Sequence, residues 1–411
     1  MAIRVLYLHP AAVFGGASKS LIELFGRLQE NGLKGDVLTP PGSASTAFEE
    51  AGMNVVRVPG LSQFDNTLYG RYRGLRWLIL LRELGYLPSS LLALWRLREQ
   101  RYDLIHVNEV TLLLLGIVAK RLLRSPLVVH VRSVQSLPRG SLRSRWINIL
   151  LARHADAVVA VDHTVARTLD ERLAPSIVHN CIGMPQGVDR NADAARSRPF
   201  RLGIFGVLIP VKGVRELVEA VQIVKGQGVE LECWIAGENA RSLSGPKAWL
   251  FKLFGFARDM RSELEAQVAE HGLQGEVKFL GLVTDIRSLY SEIDVLCFPS
   301  HLNAAGRPVF EAALFGIPSI VAIRDPLPDA ILHEETGLAI SAPRPDLIAE
   351  AILRLATDEP LRARLGRQAK AWAAGIYSLE RSANALLTIY TGVVGDSRSR
   401  RGEAETSVSP E

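Results

Sequence analysis

Thirteen short apolar runs, each followed by a stretch with helical spacing, constrain this chain more than any other feature. IRVLYLH (3–9), DVLTP (36–40), NVVRVP (54–59), DLIHVN (103–108), PLVVHVRS (126–133), DAVVAVD (156–162) and SIVHNC (176–181) occupy the first half. RLGIFGVL (201–208), ECWIAG (232–237), VKFLG (277–281), DVLCFPS (294–300), PSIVAI (318–323) and GLAI (337–340) occupy the second. Strands alternating with helices imply parallel sheets covered on both faces, and near-continuous apolar strands such as DAVVAV suit that burial. Thirteen strands exceed one doubly wound sheet, and 411 residues exceed one ordinary core. The expectation is an α/β chain with two doubly wound domains. The Gly-, Pro- and charge-rich stretch GMPQGVDRNADAARSRP (183–199) marks the break. The expected organisation is a first domain over 1–185, a linker at 186–199, a second domain over 200–376, a helix at 377–395 and a polar, unstructured tail at 396–411.

Composition narrows the class. A chain that is 48% hydrophobic and 22% charged is globular. Cys181, Cys233 and Cys297 are far apart with no C-x-x-C pair, which argues against a disulfide framework or a zinc site and suits a reducing cytoplasm. MAIRVLYLHP has no signal-peptide h-region, and VTLLLLGIVA is far short of the ~18–20 apolar residues that span a bilayer. The net charge of +5 is unevenly placed. Arginine mixes with Trp and Leu in GRYRGLRWLILLRELGYLPSSLLALWRLREQR (70–101), in LPRGSLRSRWINILLARH (137–154) and in GPKAWLFKLFGFARDMRSEL (245–264), the last resembling an insertion. Each reads either as an ordinary helix with solvated arginines or as an interfacial helix on an anionic membrane, at the inner face of the cell membrane. No nucleic-acid module is present, so nucleic acid is not an expected partner.

Three loops carry candidate chemistry. In HPAAVFGGASKSLIEL, Gly15 and Gly16 lie between a strand and a helix, where backbone N–H groups could approach an anion. The stretch is neither G-x-G-x-x-G nor a Walker A loop, and a plain tight turn explains it equally well. In GIFGVLIPVKGVRELVEAV, Lys212 precedes a helix just after a strand, as a solvated loop lysine or as a partner for a diphosphate. In CFPSHLNAAGRPVFEAALFG, Gly306 allows close backbone approach, Pro308 suits the first helical position, and Glu311 falls in the expected first turn. Glu311 could answer the helix dipole alone, or accept two hydrogen bonds from a vicinal diol such as a ribose.

The order G-x-L-x-x-x-K-G, I-A-G-E, F-L-G, D-V-L-x-x-P-S and E-A-x-x-x-G-x-P (206–318) resembles the retaining glycosyltransferases of family four. The resemblance implies the GT-B fold: two Rossmann-like domains facing a central cleft, the second holding a nucleotide-diphosphate sugar as co-substrate and the first a saccharide or lipid-linked acceptor. It implies that Lys212 grips the donor diphosphate and that Glu311, the second glutamate of E-x7-E, holds the nucleotide ribose. Glu238 of I-A-G-E, with Gly306, Arg307 and Pro308, would face the donor, and Gly15 and Gly16 would close against it. Three positions depart from the pattern. The first glutamate of E-x7-E is Asn303, the arginine of G-R-L is Val207, and the acceptor-side histidine aligns with Arg132, two residues beyond His130. Arg307 could replace the charge missing at Val207. With Arg132, Lys212 and Asn303 as candidate catalytic residues, no resident cofactor and no D-x-D motif, the resemblance implies metal-independent, retaining transfer in cell-envelope or exopolysaccharide synthesis. A nucleotide-sugar epimerase on the same fold, or a donor-binding scaffold without catalysis, are the alternatives.

Overall fold

The computed structural model describes residues 3–68, 72, 77–135, 142–182, 198–239, 259–283 and 285–406. The chain divides into two compact units, 1–183 with 377–411, and 184–376. The expected linker falls almost wholly outside the described residues, as does most of the expected insertion, of which only 259–264 are described.

All thirteen expected strands are present. In the first unit β1 (Arg4–Leu8), β2 (Lys34–Thr39), β3 (Asn54–Arg57), β4 (Leu104–Val107), β5 (Leu127–Val131), β6 (Ala157–Ala160) and β7 (Ser176–Ile177) form a parallel sheet in the order β3-β2-β1-β4-β5-β6-β7. In the second, β8 (Phe200–Phe205), β9 (Leu231–Ala236), β10 (Val277–Gly281), β11 (Val295–Phe298), β12 (Ser319–Ala322) and β13 (Gly337–Ile340) pair in parallel in the order β10-β9-β8-β11-β12-β13. Strands such as LVVHV and VLCF are buried at every position, because helices cover both faces.

In each unit the chain winds outward from its first strand, then returns to that strand's other side. The winding reverses between β1 and β4, and between β8 and β11. Beyond the carboxyl ends of such a strand pair, the connecting loops diverge and leave room for a ligand. The helix Leu379–Thr406 joins the first unit, with Ala383, Leu386, Tyr390 and Val394 in the same core as Val5, Tyr7 and Phe25. The tail expected to lack structure from 396 is therefore helical as far as Thr406. Its continuation has a tertiary contact behind it, since Arg398 bonds Asp103 at 2.8 Å.

Glycine placement sets one loop of the second unit. Gly213, with φ +71°, stands so close to the strand end that an added Cβ would lie 1.9 Å from the Pro299 carbonyl oxygen. Gly15, by contrast, has open space around it and an extended φ of −158°. Gly213→Ala should therefore cost about 2 kcal/mol, read as a lower unfolding midpoint in urea, while Gly15→Ala should leave the midpoint within about 0.5 kcal/mol of wild type.

Candidate functional site

In the second unit the loop after β8 carries Lys212 to the point where the winding reverses. Its Nζ sits 4.6 Å from the centroid of the Phe298 ring, at the end of β11. Among the described residues no carboxylate pairs with this lysine, and burial lowers its pKa. An ammonium drawn out of water without a counter-charge is costly to keep, and an anion is what would relieve it. The loop is pinned in place: Val211 O accepts from the His301 N–H at 2.9 Å and from Ser300 Oγ at 3.1 Å.

Two helices begin beside this lysine. Val214–Gly226 starts after Gly213 and Arg307–Leu314 after Gly306, and neither has a side-chain cap. Two other helices of the unit are capped by Asp259 and Asp285, while Pro345–Thr357 begins without a side-chain cap. Glycine at these two starts leaves first-turn N–H groups for a ligand, fewer on the second helix, where Pro308 has none and the Val309 N–H bonds the Gly306 carbonyl at 2.9 Å. Gly306 also has a packing reason, since a Cβ there would lie 2.5 Å from the Phe298 ring.

The helix begins at Arg307, so Pro308 is its second residue and Glu311 its fifth. That corrects the expectation of a first-turn carboxylate and weakens the dipole explanation, whose effect is confined to the first turn. Glu311 instead accepts from Arg307 Nε at 2.8 Å and from the Tyr290 hydroxyl at 2.9 Å, with both charged side chains 10% exposed. An ionised carboxylate has about four acceptor sites and can receive more than one hydrogen bond at once. Arg307, expected to replace the cation missing at Val207, has its charge balanced by Glu311.

Asn303 answers a different requirement. It has φ 52°, the left-handed region that asparagine tolerates better than most residues. Its Oδ1 accepts from the Arg324 N–H at 2.5 Å, and its Nδ2 donates to the Arg324 carbonyl at 3.5 Å. A glutamate could not donate the second bond. Asn303 also lines a cavity of about 310 Å³ with His301, Arg324 and Ser341. Glu238 stands apart from this group: its carbonyl accepts from the Leu208 N–H at 2.9 Å, and its exposed carboxylate lies 3.9 Å from Arg261.

The first unit has its own polar cluster outside β1, β4 and β5. Gly15 and Gly16 are exposed at the uncapped start of the helix Gly16–Glu30. Arg132 Nε donates to Asn108 Oδ1 at 2.9 Å, and its Nη1 donates to Asn180 Oδ1 at 2.9 Å and Ser20 Oγ at 3.3 Å. Buried His9 is held by Ser18 at 3.1 Å and Asn108 at 2.9 Å. Glu109 accepts from Ser133 Oγ at 2.7 Å and the Val110 N–H at 2.9 Å, with its pKa raised by burial. His9, Asn108 and Glu109 were not among the expected site residues. Their signal was available: each is among the first polar residues after an apolar strand, in YLHP and HVNE. His130 is fully buried in β5, consistent with a structural place for it.

Residues 186–372 match the family model described as glycosyl transferases group 1, and residues 15–180 match that of the glycosyl transferase 4-like domain. The chain is 25% identical over 317 residues to the lipopolysaccharide core biosynthesis mannosyltransferase LpcC of Rhizobium leguminosarum bv. viciae, covering 75% of this chain and 84% of that protein. It is 25% identical over 403 residues to the D-inositol 3-phosphate glycosyltransferase of Corynebacterium jeikeium, covering 92% and 91% respectively. Its fold is similar to that of Anabaena Alr3699/HepE, solved in complex with UDP and glucose, with a TM-score of 0.75 at 22% identity over 95% of this chain and 100% of that one.

Two predictions follow from this geometry. Asn303→Glu should destabilise the chain by about 1–2 kcal/mol in urea unfolding and should not raise activity, because it strains φ and loses the donor to Arg324. His9 has its pKa lowered to about 3, chiefly by burial and further by Arg132, from an ordinary 6.5. The unfolded chain then binds this proton first, so stability falls as pH drops from 6.5 toward about 3. Unfolding free energies measured across that window should fall less steeply for His9→Asn, by up to about 1.4 kcal/mol per pH unit.

Proposed function

We propose that this chain, a member of the group 1 glycosyltransferase superfamily with the GT-B fold, transfers a sugar from a nucleotide-diphosphate sugar to a saccharide or lipid-linked acceptor. Transfer retains the anomeric configuration, needs no metal, and serves cell-envelope or extracellular polysaccharide synthesis. The observation that carries the donor assignment is Lys212, a half-buried cation whose pKa burial lowers and which has no carboxylate partner among the described residues. Mannosyl and inositol phosphate glycosyl transfer are named for sequence relatives, and UDP for a fold neighbour, which supports an activated sugar as donor.

In this reading Lys212 and the first-turn N–H groups after Gly213 and Gly306 bind the diphosphate. Arg307 and Pro308 hold the loop against it, and Glu311 accepts from the ribose hydroxyls. As the bond from anomeric carbon to diphosphate oxygen breaks, its electron pair passes to the diphosphate, whose growing charge these groups stabilise. The acceptor hydroxyl attacks the same face, and its proton passes to a diphosphate oxygen. No protein nucleophile is needed; catalysis rests on positioning and electrostatics. Asn303 shapes the loop toward the sugar, and Glu238 borders the nucleotide. Arg132, held by Asn108 and Asn180, orients the acceptor.

Incubation with a panel of nucleotide sugars, with and without candidate acceptors, tests the reading. A glycosylated product whose anomeric proton coupling matches the donor's configuration is expected. Epimerised donor without an acceptor would favour the epimerase, and binding without any product would favour the scaffold. Lys212→Met should lower kcat/KM by about 100-fold or more while leaving the unfolding midpoint unchanged or raised, because it removes an uncompensated charge.

A further inference from the structure

The helix Ile79–Leu97 in the first unit buries polar groups on the same side as Ala93, Leu94 and Leu97 while leaving much of its apolar surface exposed. Its buried positions include Glu83 and Ser90, at 3% and 0% exposure, while Leu81 and Leu84 are 65% and 60% exposed. The inward polar groups are satisfied. Glu83 accepts from the Gln63 N–H at 3.0 Å, and Ser90 Oγ accepts from the Ser62 N–H at 3.2 Å and donates to the Tyr86 carbonyl at 2.8 Å. The inward seat is therefore settled. The apolar stripe at 81, 84, 91, 92 and 95 keeps helical spacing but points to solvent.

The stripe continues onto the neighbouring helix Leu113–Leu123. Leu91, Leu92, Trp95, Val118, Arg121 and Leu122 line one open groove of about 710 Å³. Six exposed arginines surround it in sequence, Arg82, Arg96, Arg98, Arg101, Arg121 and Arg124. Arg82 faces Glu83 and Arg98 faces Glu99, but the other four have no carboxylate partner among the described residues. Arg98 also lies over the Trp95 ring at 4.0 Å. Among the described residues no helix is long and apolar enough to cross a membrane.

We propose that this face docks on an anionic lipid bilayer, with the leucines and Trp95 among the headgroups and upper acyl chains and the arginines on lipid phosphates. The charge selects this occupant. A twofold contact with a second copy would set the same arginines against each other, with one exposed glutamate per copy between them. An anionic surface accepts both the apolar stripe and its basic rim. The inference stands independently of the transfer chemistry and is tested by binding alone.

The test is co-sedimentation of the full chain with phosphatidylglycerol–phosphatidylcholine vesicles and with pure phosphatidylcholine vesicles, at low and high salt. Binding to the anionic vesicles that weakens with salt is expected. Arg96→Gln/Arg121→Gln should weaken partitioning about thirtyfold. Leu92→Gln/Trp95→Gln should also weaken it, with Leu92→Ala/Trp95→Ala as the gentler pair if the first lowers the unfolding midpoint. No binding at low salt, or variants that bind like wild type, would overturn the proposal. So would a wild-type dimer in sedimentation velocity that the Leu92/Trp95 variant dissociates without change in vesicle binding.

Discussion

The second unit is organised around a lysine that has lost part of its water and has no carboxylate partner among the described residues. Lys212 rests on the Phe298 ring, and burial works against its charge. A cation–π contact recovers only part of what hydration supplied. The surrounding features keep this arrangement from relaxing. Gly213 lets the loop close against Pro299, the hydrogen bonds to Val211 fix its path, and the reversal of winding between β8 and β11 opens the space above it. Glycine caps at two helix starts then aim N–H groups without side-chain competition. Such a place is poised for an anion with more than one charge, which is why a diphosphate fits it better than a neutral ligand.

The first unit solves its sheet edge differently. Where the second leaves a charge wanting a partner, Arg132, Asn108, His9 and Glu109 form a network of mutual hydrogen bonds. Networks of this kind fix a surface rather than bind by unmet charge. The same unit carries the helix Ile79–Leu97, so its unmet demand lies in apolar area on another face. One unit thus presents an electrostatic demand and the other a hydrophobic one.

Much of the fold was legible because the period of the pattern is strong: all thirteen strands appear near their expected places. The helix Leu379–Thr406 ran past its expected end because a polar composition suggests solvation, while the Arg398–Asp103 contact is tertiary. Lys212 could be picked out by its place before Gly213, but its partner Phe298 could not, since an aromatic at a strand end usually means core. Glu311 was found for its register and misplaced within its helix, as capping decides the first residue and motifs do not. Asn303 shows the limit most clearly. Its spacing pointed to the sugar, whereas its conformation and its bonds to Arg324 explain why asparagine stands there. Local backbone demand and functional register coincide at that position, and sequence shows only the second.

The central claim is that the half-buried ammonium of Lys212, which has no carboxylate partner among the described residues, is the diphosphate site, and proton uptake tests it most directly. Binding a diphosphate should raise a lowered lysine pKa, so in the alkaline range where the free lysine titrates the complex should take up a fraction of a proton. Calorimetric titration of a nucleoside diphosphate in buffers of different ionisation enthalpy measures that uptake. The account predicts uptake by the wild type and none by Lys212→Met, with weaker binding in the variant. Tight diphosphate binding with no proton uptake, or unchanged uptake in Lys212→Met, would contradict it.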